Sequence, residues 1–163
     1  MTGRMTAGLL IAAPASGTGK TTLTLGLIAA LRARGVAVRP FKCGPDYIDP
    51  AFHAAAAGRA SVNLDSWAMT AGQIAALTAS DDAALVIAEG SMGLFDGVAV
   101  PGEAGTGASA DIAALTGWPV VLVLDASGAA QSVAAMALGF ARFRADVRLA
   151  GVVLNNVASA RHE

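Results

Sequence analysis

The chain has 163 residues, about one domain, with 55% hydrophobic residues, 14% charged residues and a net charge of −1. That composition supports a large core and argues against disorder, and the near-neutral charge leaves no electrostatic footprint for nucleic acid or an anionic membrane. A single cysteine, Cys43, excludes an internal disulfide framework and suits a reducing, cytoplasmic setting.

The first apolar run, over residues 8–13, reads as a buried parallel strand. Arg4, the apolar run and Ala13-Pro14-Ala15 imitate a signal peptide. Cleavage there would destroy the strand, so a signal peptide is not expected. Ala12-Ala13-Pro14-Ala15-Ser16-Gly17-Thr18-Gly19-Lys20-Thr21-Thr22 follows, and then a helical pattern over 22–34 that Gly35 ends. Strand, glycine-rich turn with Gly-Lys-Thr, and helix form the layout of a phosphate-binding loop. The glycines let successive N–H groups point inward, and that nest and the helix N-terminus both favour an anion. Lys20 is placed to reach the outer phosphates and the Thr21 hydroxyl to bind Mg²⁺. Pro14 stands where the general pattern has its first glycine. A dinucleotide loop is the rival reading of Gly17-Thr18-Gly19, but its third glycine would fall at Thr22, and it has no use for Lys20-Thr21.

A second strand is predicted over 36–42 and a loop over 43–52. Thr70 opens a helix with a Thr-x-x-Gln capping box to Gln73. A third strand over 83–88 leads into a glycine-rich loop reaching residue 107. A helix begins at Ser109 or Asp111 and ends at Thr116. A fourth strand (119–124), a helix (129–144) and a fifth strand (147–154) complete the pattern. Strands alternating with helices predict an α/β fold, a doubly wound, mostly parallel sheet of the P-loop type. Ligands in such folds collect beyond the carboxyl ends of the strands. That rule selects the loops at 14–20, 43–52, 89–107 and 125–129, and the chain from Asn155 onward.

Two carboxylates, Asp46 and Asp49, lie in the stiffened Gly44-Pro45-Asp46-Tyr47-Ile48-Asp49-Pro50 segment. Two readings stand: they cap turns, or they hold Mg²⁺ or orient a substrate group. Glu89 ends an apolar strand, where a P-loop needs a hard oxygen to complete a Mg²⁺ shell. Asp96 adds a charge in the loop that follows. The Asn155 amide could read a base edge or form a turn. His53 and His162 have no matching metal ligands nearby, Cys43 reads as a packing thiol, and Trp67 and Trp118 read as core or surface cover.

The phosphate loop, Phe41 to His53 and the run Glu89-Gly90-Ser91-Met92-Gly93-Leu94-Phe95-Asp96-Gly97 together resemble the cobyrinic (or hydrogenobyrinic) acid a,c-diamide synthase family. The resemblance covers residues 9–162, and Pro14 is ordinary in that family. It implies a dethiobiotin-synthetase-like fold. It also implies ATP- and Mg²⁺-dependent amidation of the a and c acetate side chains of a corrin ring through an acyl phosphate, in cobalamin biosynthesis. By similarity Ser16, Gly17, Thr18, Gly19, Lys20, Thr21 and Thr22 bind the nucleotide, with Asn155 toward adenine. Thr21, Asp46 and Glu89 are the expected metal ligands, and Asp49 and Asp96 orient the substrate carboxylate or ammonia. The family carries a C-terminal glutaminase domain that supplies ammonia. The 163 residues are therefore expected to be the synthetase part, truncated before that domain, with the oligomer left open and a homodimer as one possibility. Two alternatives are another carboxylate-activating ligase of the same fold and a partitioning-type ATPase, which would be expected to carry a lysine near Ala15.

Overall fold

The computed structural model describes residues 7–79 and 83–158. Arg4 and His162 lie outside the described residues. The elements run β1 (Gly8–Ala12), α1 (Lys20–Ala33), β2 (Val38–Cys43), α2 (Asp49–Ala57), β3 (Val62–Leu64), α3 (Ala71–Thr78), β4 (Leu85–Glu89), α4 (Ser109–Thr116), β5 (Val120–Asp125), α5 (Ser132–Phe143) and β6 (Leu149–Asn155). The strands form one sheet in the order β3-β2-β4-β1-β5-β6, and every pairing is parallel. The doubly wound α/β fold expected from the sequence is therefore observed.

Alternation along the strands sorts side chains onto two faces. Leu10, Ala12, Phe41, Val86, Ala88, Leu122 and Leu124 pack with Ile74 of α3, Ile112 of α4 and Val133 of α5. Ile11, Val38, Ile87 and Val123 pack with Ile28 of α1 and the alanines at the end of α2. Helices α1 and α2 thus cover one face and α3, α4 and α5 the other. Lys42 and Glu89 are in period with Val38 and Ile87, so they point to the α1/α2 face at the carboxyl ends of their strands.

Two elements differ from the sequence expectation. Residues 49–57 are helical rather than loop until Phe52, because Pro50 sits in the first turn and alanines continue it. β3 is a three-residue edge strand, too short to show a periodicity. The Thr70 capping box is present: Gln73 N donates to Thr70 Oγ1 at 3.3 Å, and Thr70 N donates to Gln73 Oε1 at 2.8 Å. No helix among the described residues is long and apolar enough to cross a membrane.

Candidate active site

The loop after β1 turns through Gly17 (φ 81°) and Gly19 (φ 92°), both in the left-handed region that favours glycine. A Cβ on Gly19 would also collide with the Asn155 amide, which donates to Thr18 O at 2.8 Å. Asn155 therefore ties the end of β6 to the phosphate loop. No side chain caps α1, so its first N–H groups face the loop's concavity. Thr18 Oγ1 is buried there without a hydrogen-bond partner among the described residues. Uncapped amides, positive-φ glycines and an orphaned hydroxyl fit a bound polyphosphate. A cleft of about 480 Å³ opens beside them, lined by Gly17, Gly19, Thr22, Leu23, Val153 and Asn155.

Lys20, the first residue of α1, is 7% exposed. Burial, and then the nearby Lys42 ammonium, pull its pKa below the ordinary value. Thr21 Oγ1 donates to Glu89 Oε1 at 2.5 Å. Lys42 Nζ lies 3.0 Å from that same oxygen and 2.5 Å from Asp49 Oδ2. His53 Nε2 is 2.6 Å from Glu89 Oε2, and both side chains are fully buried. Burial alone would raise the Glu89 carboxyl, but the hydrogen bonds from His53, Thr21 and Lys42 outweigh it and hold the group below the usual carboxylate range. Burial likewise opposes the Lys42 charge, and its bonds to Asp49 and Glu89 reverse the effect, so its pKa is raised. The Thr21 hydroxyl and the charged Lys42 and Glu89 side chains are thereby gathered from α1, β2 and β4 into one cluster.

Asp46 takes a different place. Its Oδ1 accepts from the N–H groups of Ile48 and Asp49, each at 2.8 Å, and so organises the entry to α2. Its Oδ2 is 4.0 Å from Lys42 Nζ. It meets the Glu89 cluster through Lys42, and the turn-capping reading describes half of its carboxylate. Asp96 Oδ2 accepts from Gly93 N at 2.9 Å. Asp96 also borders a cleft of about 370 Å³ between Pro45, Trp67, Met92 and Val98. Ser16 is exposed, with its hydroxyl 3.6 Å from Met92 Sδ. Cys43 is buried, and burial pushes its thiol up to about 12.

Lys42 and His53 are absent from the residues expected from sequence. The signals exist: Lys42 shares strand-end register with Glu89, and His53 follows Asp49 by one helical turn. Reading residues 43–52 as loop hid the second. Among the described residues no group of three or more His, Cys, Asp or Glu side chains could hold a metal ion. Mg²⁺ binds through one or two protein oxygens together with phosphate and water. Thr21 Oγ1 and Glu89 Oε1, which lie together at the start of α1 and the end of β4, are oxygens of that kind.

The fold and this site define a P-loop nucleotide-binding domain. The chain belongs to the family described as the CobQ/CobB/MinD/ParA nucleotide binding domain, whose model matches residues 9–163. It is 67% identical over 157 residues to the hydrogenobyrinate a,c-diamide synthase of Rhodobacter capsulatus, covering 96% of this chain and 36% of that protein. It is 55% identical over 158 residues to the protein of the same name from Rhizobium meliloti, with the same coverage. The chain thus spans about a third of the length of these curated relatives. Among solved structures, the signal recognition particle receptor FtsY of Elizabethkingia anophelis superposes with a TM-score of 0.59 at 16% identity, over 94% of this chain and 53% of that one. At that identity the likeness concerns the fold.

Proposed function

We propose that this chain is the nucleotide-binding, carboxylate-activating part of a corrinoid a,c-diamide synthase acting in cobalamin biosynthesis. In this reading it amidates the a and c acetate groups of hydrogenobyrinic or cobyrinic acid in the cytoplasm. The observation that carries the reading is the 67% identity, over 96% of the chain, to a relative named for that reaction. That name favours the cobalt-free corrin as substrate.

The chemistry suits the site. A carboxylate is a poor electrophile because oxide is a poor leaving group. ATP with Mg²⁺ supplies the phosphoryl group that converts it to an acyl phosphate, which ammonia can attack. Such a transfer needs charge neutralisation and in-line placement more than covalent help. Residues 16–22 cradle the phosphates, with the Lys20 ammonium on the outer ones. Thr21 and Glu89 offer the metal its protein oxygens. Lys42, gripped by Asp49 and Glu89, is a second fixed cation beside the transferring group. Asp46 holds the turn that carries Asp49. The remaining oxygen of Asp96 accepts from ammonia or orders the substrate carboxylate. Asn155 fixes the loop beside the cleft where adenine sits. The apolar cleft between Trp67, Met92 and Val98 gives a flat macrocycle a surface next to Asp96. Ammonia comes from a glutaminase outside these residues, because the one thiol here is buried.

The test is mass spectrometry of hydrogenobyrinic and cobyrinic acids after incubation with the protein, ATP, Mg²⁺ and an ammonium salt. Exchange of hydroxyl for amino at two carboxyl groups is the expected result. ¹⁸O placed in those carboxyls should pass to inorganic phosphate. ATP turnover indifferent to corrinoid, with no amide formed, would sink the reading.

A further inference from the structure

We infer that His53 is a positioning residue: it fixes the rotation of the Glu89 carboxylate so that Oε1 is presented to Thr21 and to the metal beside it. The inference rests on the reading of Thr21 and Glu89 as the Mg²⁺ oxygens.

The final torsion of a glutamate side chain has no sharp rotamer preference, so something outside the side chain must set the carboxylate plane. At Glu89 that task is divided. Oε1 accepts from Thr21 at 2.5 Å and from Lys42 at 3.0 Å. Oε2 is held by His53 Nε2 at 2.6 Å. A carboxylate can only accept, so Nε2 carries the proton of this bond. Asp49 and His53 lie one turn apart on the same side of α2. The helix therefore presents two grips to the β2–β4 pair, Asp49 on Lys42 and His53 on Glu89.

A second observation separates this from ordinary packing. His53 Nδ1 is fully buried and has no hydrogen-bond partner among the described residues. A buried orphan of this kind is costly, and an apolar side chain would avoid it. The bond to Glu89 is the interaction that offsets it. Without His53 the carboxylate is free to turn both oxygens toward Lys42, and the Oε1 contact that orients the Thr21 hydroxyl is lost. His53 itself is buried behind Glu89, so it acts through that residue.

The experiment measures the Mg²⁺ concentration for half-maximal binding of a fluorescent ATP analogue, with a melting curve for every variant. Outer partners of metal ligands are typically worth about 10–100-fold in metal affinity. His53→Phe, which keeps a flat ring and removes the donor, should raise the half-maximal Mg²⁺ by that factor, with little change in binding of metal-free nucleotide. His53→Gln, whose amide nitrogen reaches the Nε2 position, should restore most of the affinity. If His53→Phe does not fold, Gln against Asn decides: Gln near the parent and Asn weakened supports the inference, and equal behaviour overturns it. Parent-like Mg²⁺ dependence in a folded His53→Phe, or no rescue by Gln, also overturns it. Mg²⁺-independent nucleotide binding by the parent would remove both this inference and the metal pair. Normal Mg²⁺ behaviour without amidation would remove only the proposed corrinoid reaction.

Discussion

Lys42 and Glu89 stand opposite each other in register on β2 and β4, with Nζ 3.0 Å from Oε1 and both side chains out of water. A buried pair of this kind is weak evidence for net stability, but breaking it strands a charge. Lys42→Met should cost about 3–5 kcal/mol, because Asp49 and Glu89 lose their shared cation. Adding Glu89→Gln to Lys42→Met should cost less than the two single changes summed, since the charges are coupled. Urea unfolding of the parent, singles and double gives the comparison, and strict additivity would contradict it.

Lys20→Ala should lower ATP-dependent amidation at least ~10²-fold, the usual loss on deleting one donor to a developing charge. The fold should persist, because the side chain contributes charge to the phosphate loop rather than apolar packing. Near-parental turnover in this variant would contradict the phosphate-loop role.

Glu89→Gln and Asp49→Asn should separate metal from chemistry. Glu89→Gln removes the charge from the oxygen proposed to face the metal and should weaken Mg²⁺ dependence and turnover together. Asp49→Asn loosens the grip on Lys42 and should impair amidation while leaving MgATP binding nearly intact. Equal loss of MgATP binding in both, measured by titration, would show that the roles are not divided.

Asp111 carries a pH dependence remote from the phosphate loop. Its Oδ2 accepts from Thr106 N at 2.7 Å and from Ser66 Oγ at 3.1 Å, and its Oδ1 from Arg144 at 2.8 Å. Burial would raise this carboxyl, but Arg144 first, and then Thr106 and Ser66, hold it below its ordinary 3.8. A depressed folded-state pKa gives stability that is present above the unfolded value and is lost as pH falls through the folded one. Asp111→Asn should therefore be less stable than the parent by a constant margin around neutrality. The margin should shrink as pH drops below 3.8. Denaturant midpoints across that range check it, and a margin that widened in acid would refute it.

The nitrogen source can be tested on one atom. Cys43 is the only thiol, and burial raises it to about 12, so little nucleophilic thiolate exists near neutral pH. The 163-residue chain should release no glutamate from glutamine, and native Cys43 should resist thiol reagents until the protein is unfolded. Glutamate release abolished by Cys43→Ala would place a glutaminase where none is expected.

Much of this site could be read from residue order, because a P-loop couples sequence to geometry within a few positions. Gly17, Gly19, Lys20 and Thr21 are fixed by their loop, and Glu89 by ending an apolar strand. Asp46 and Asp49 were legible as a pair but not in their division of labour. Only the start of α2 shows that one orders the turn and the other reaches Lys42. Lys42 and His53 depend on which strands become neighbours. The β2–β4 ladder joins residues 47 positions apart, and no local pattern announces it. β3 escaped because three residues on an edge carry no period.

The two margins of the sheet are unequal, which bears on handling the protein. Among the described residues one margin is β3, three residues long, and the other is β6, with seven. On β6, Val152 and Leu154 are 40% and 38% exposed, and among the described residues this strand pairs with β5 alone. A long apolar margin of this kind is a template for intermolecular strand addition. Concentrated solutions should therefore self-associate through β6 before the core loosens, and Val152→Lys, a charge on that margin, should delay the onset of light scattering without moving the melting temperature.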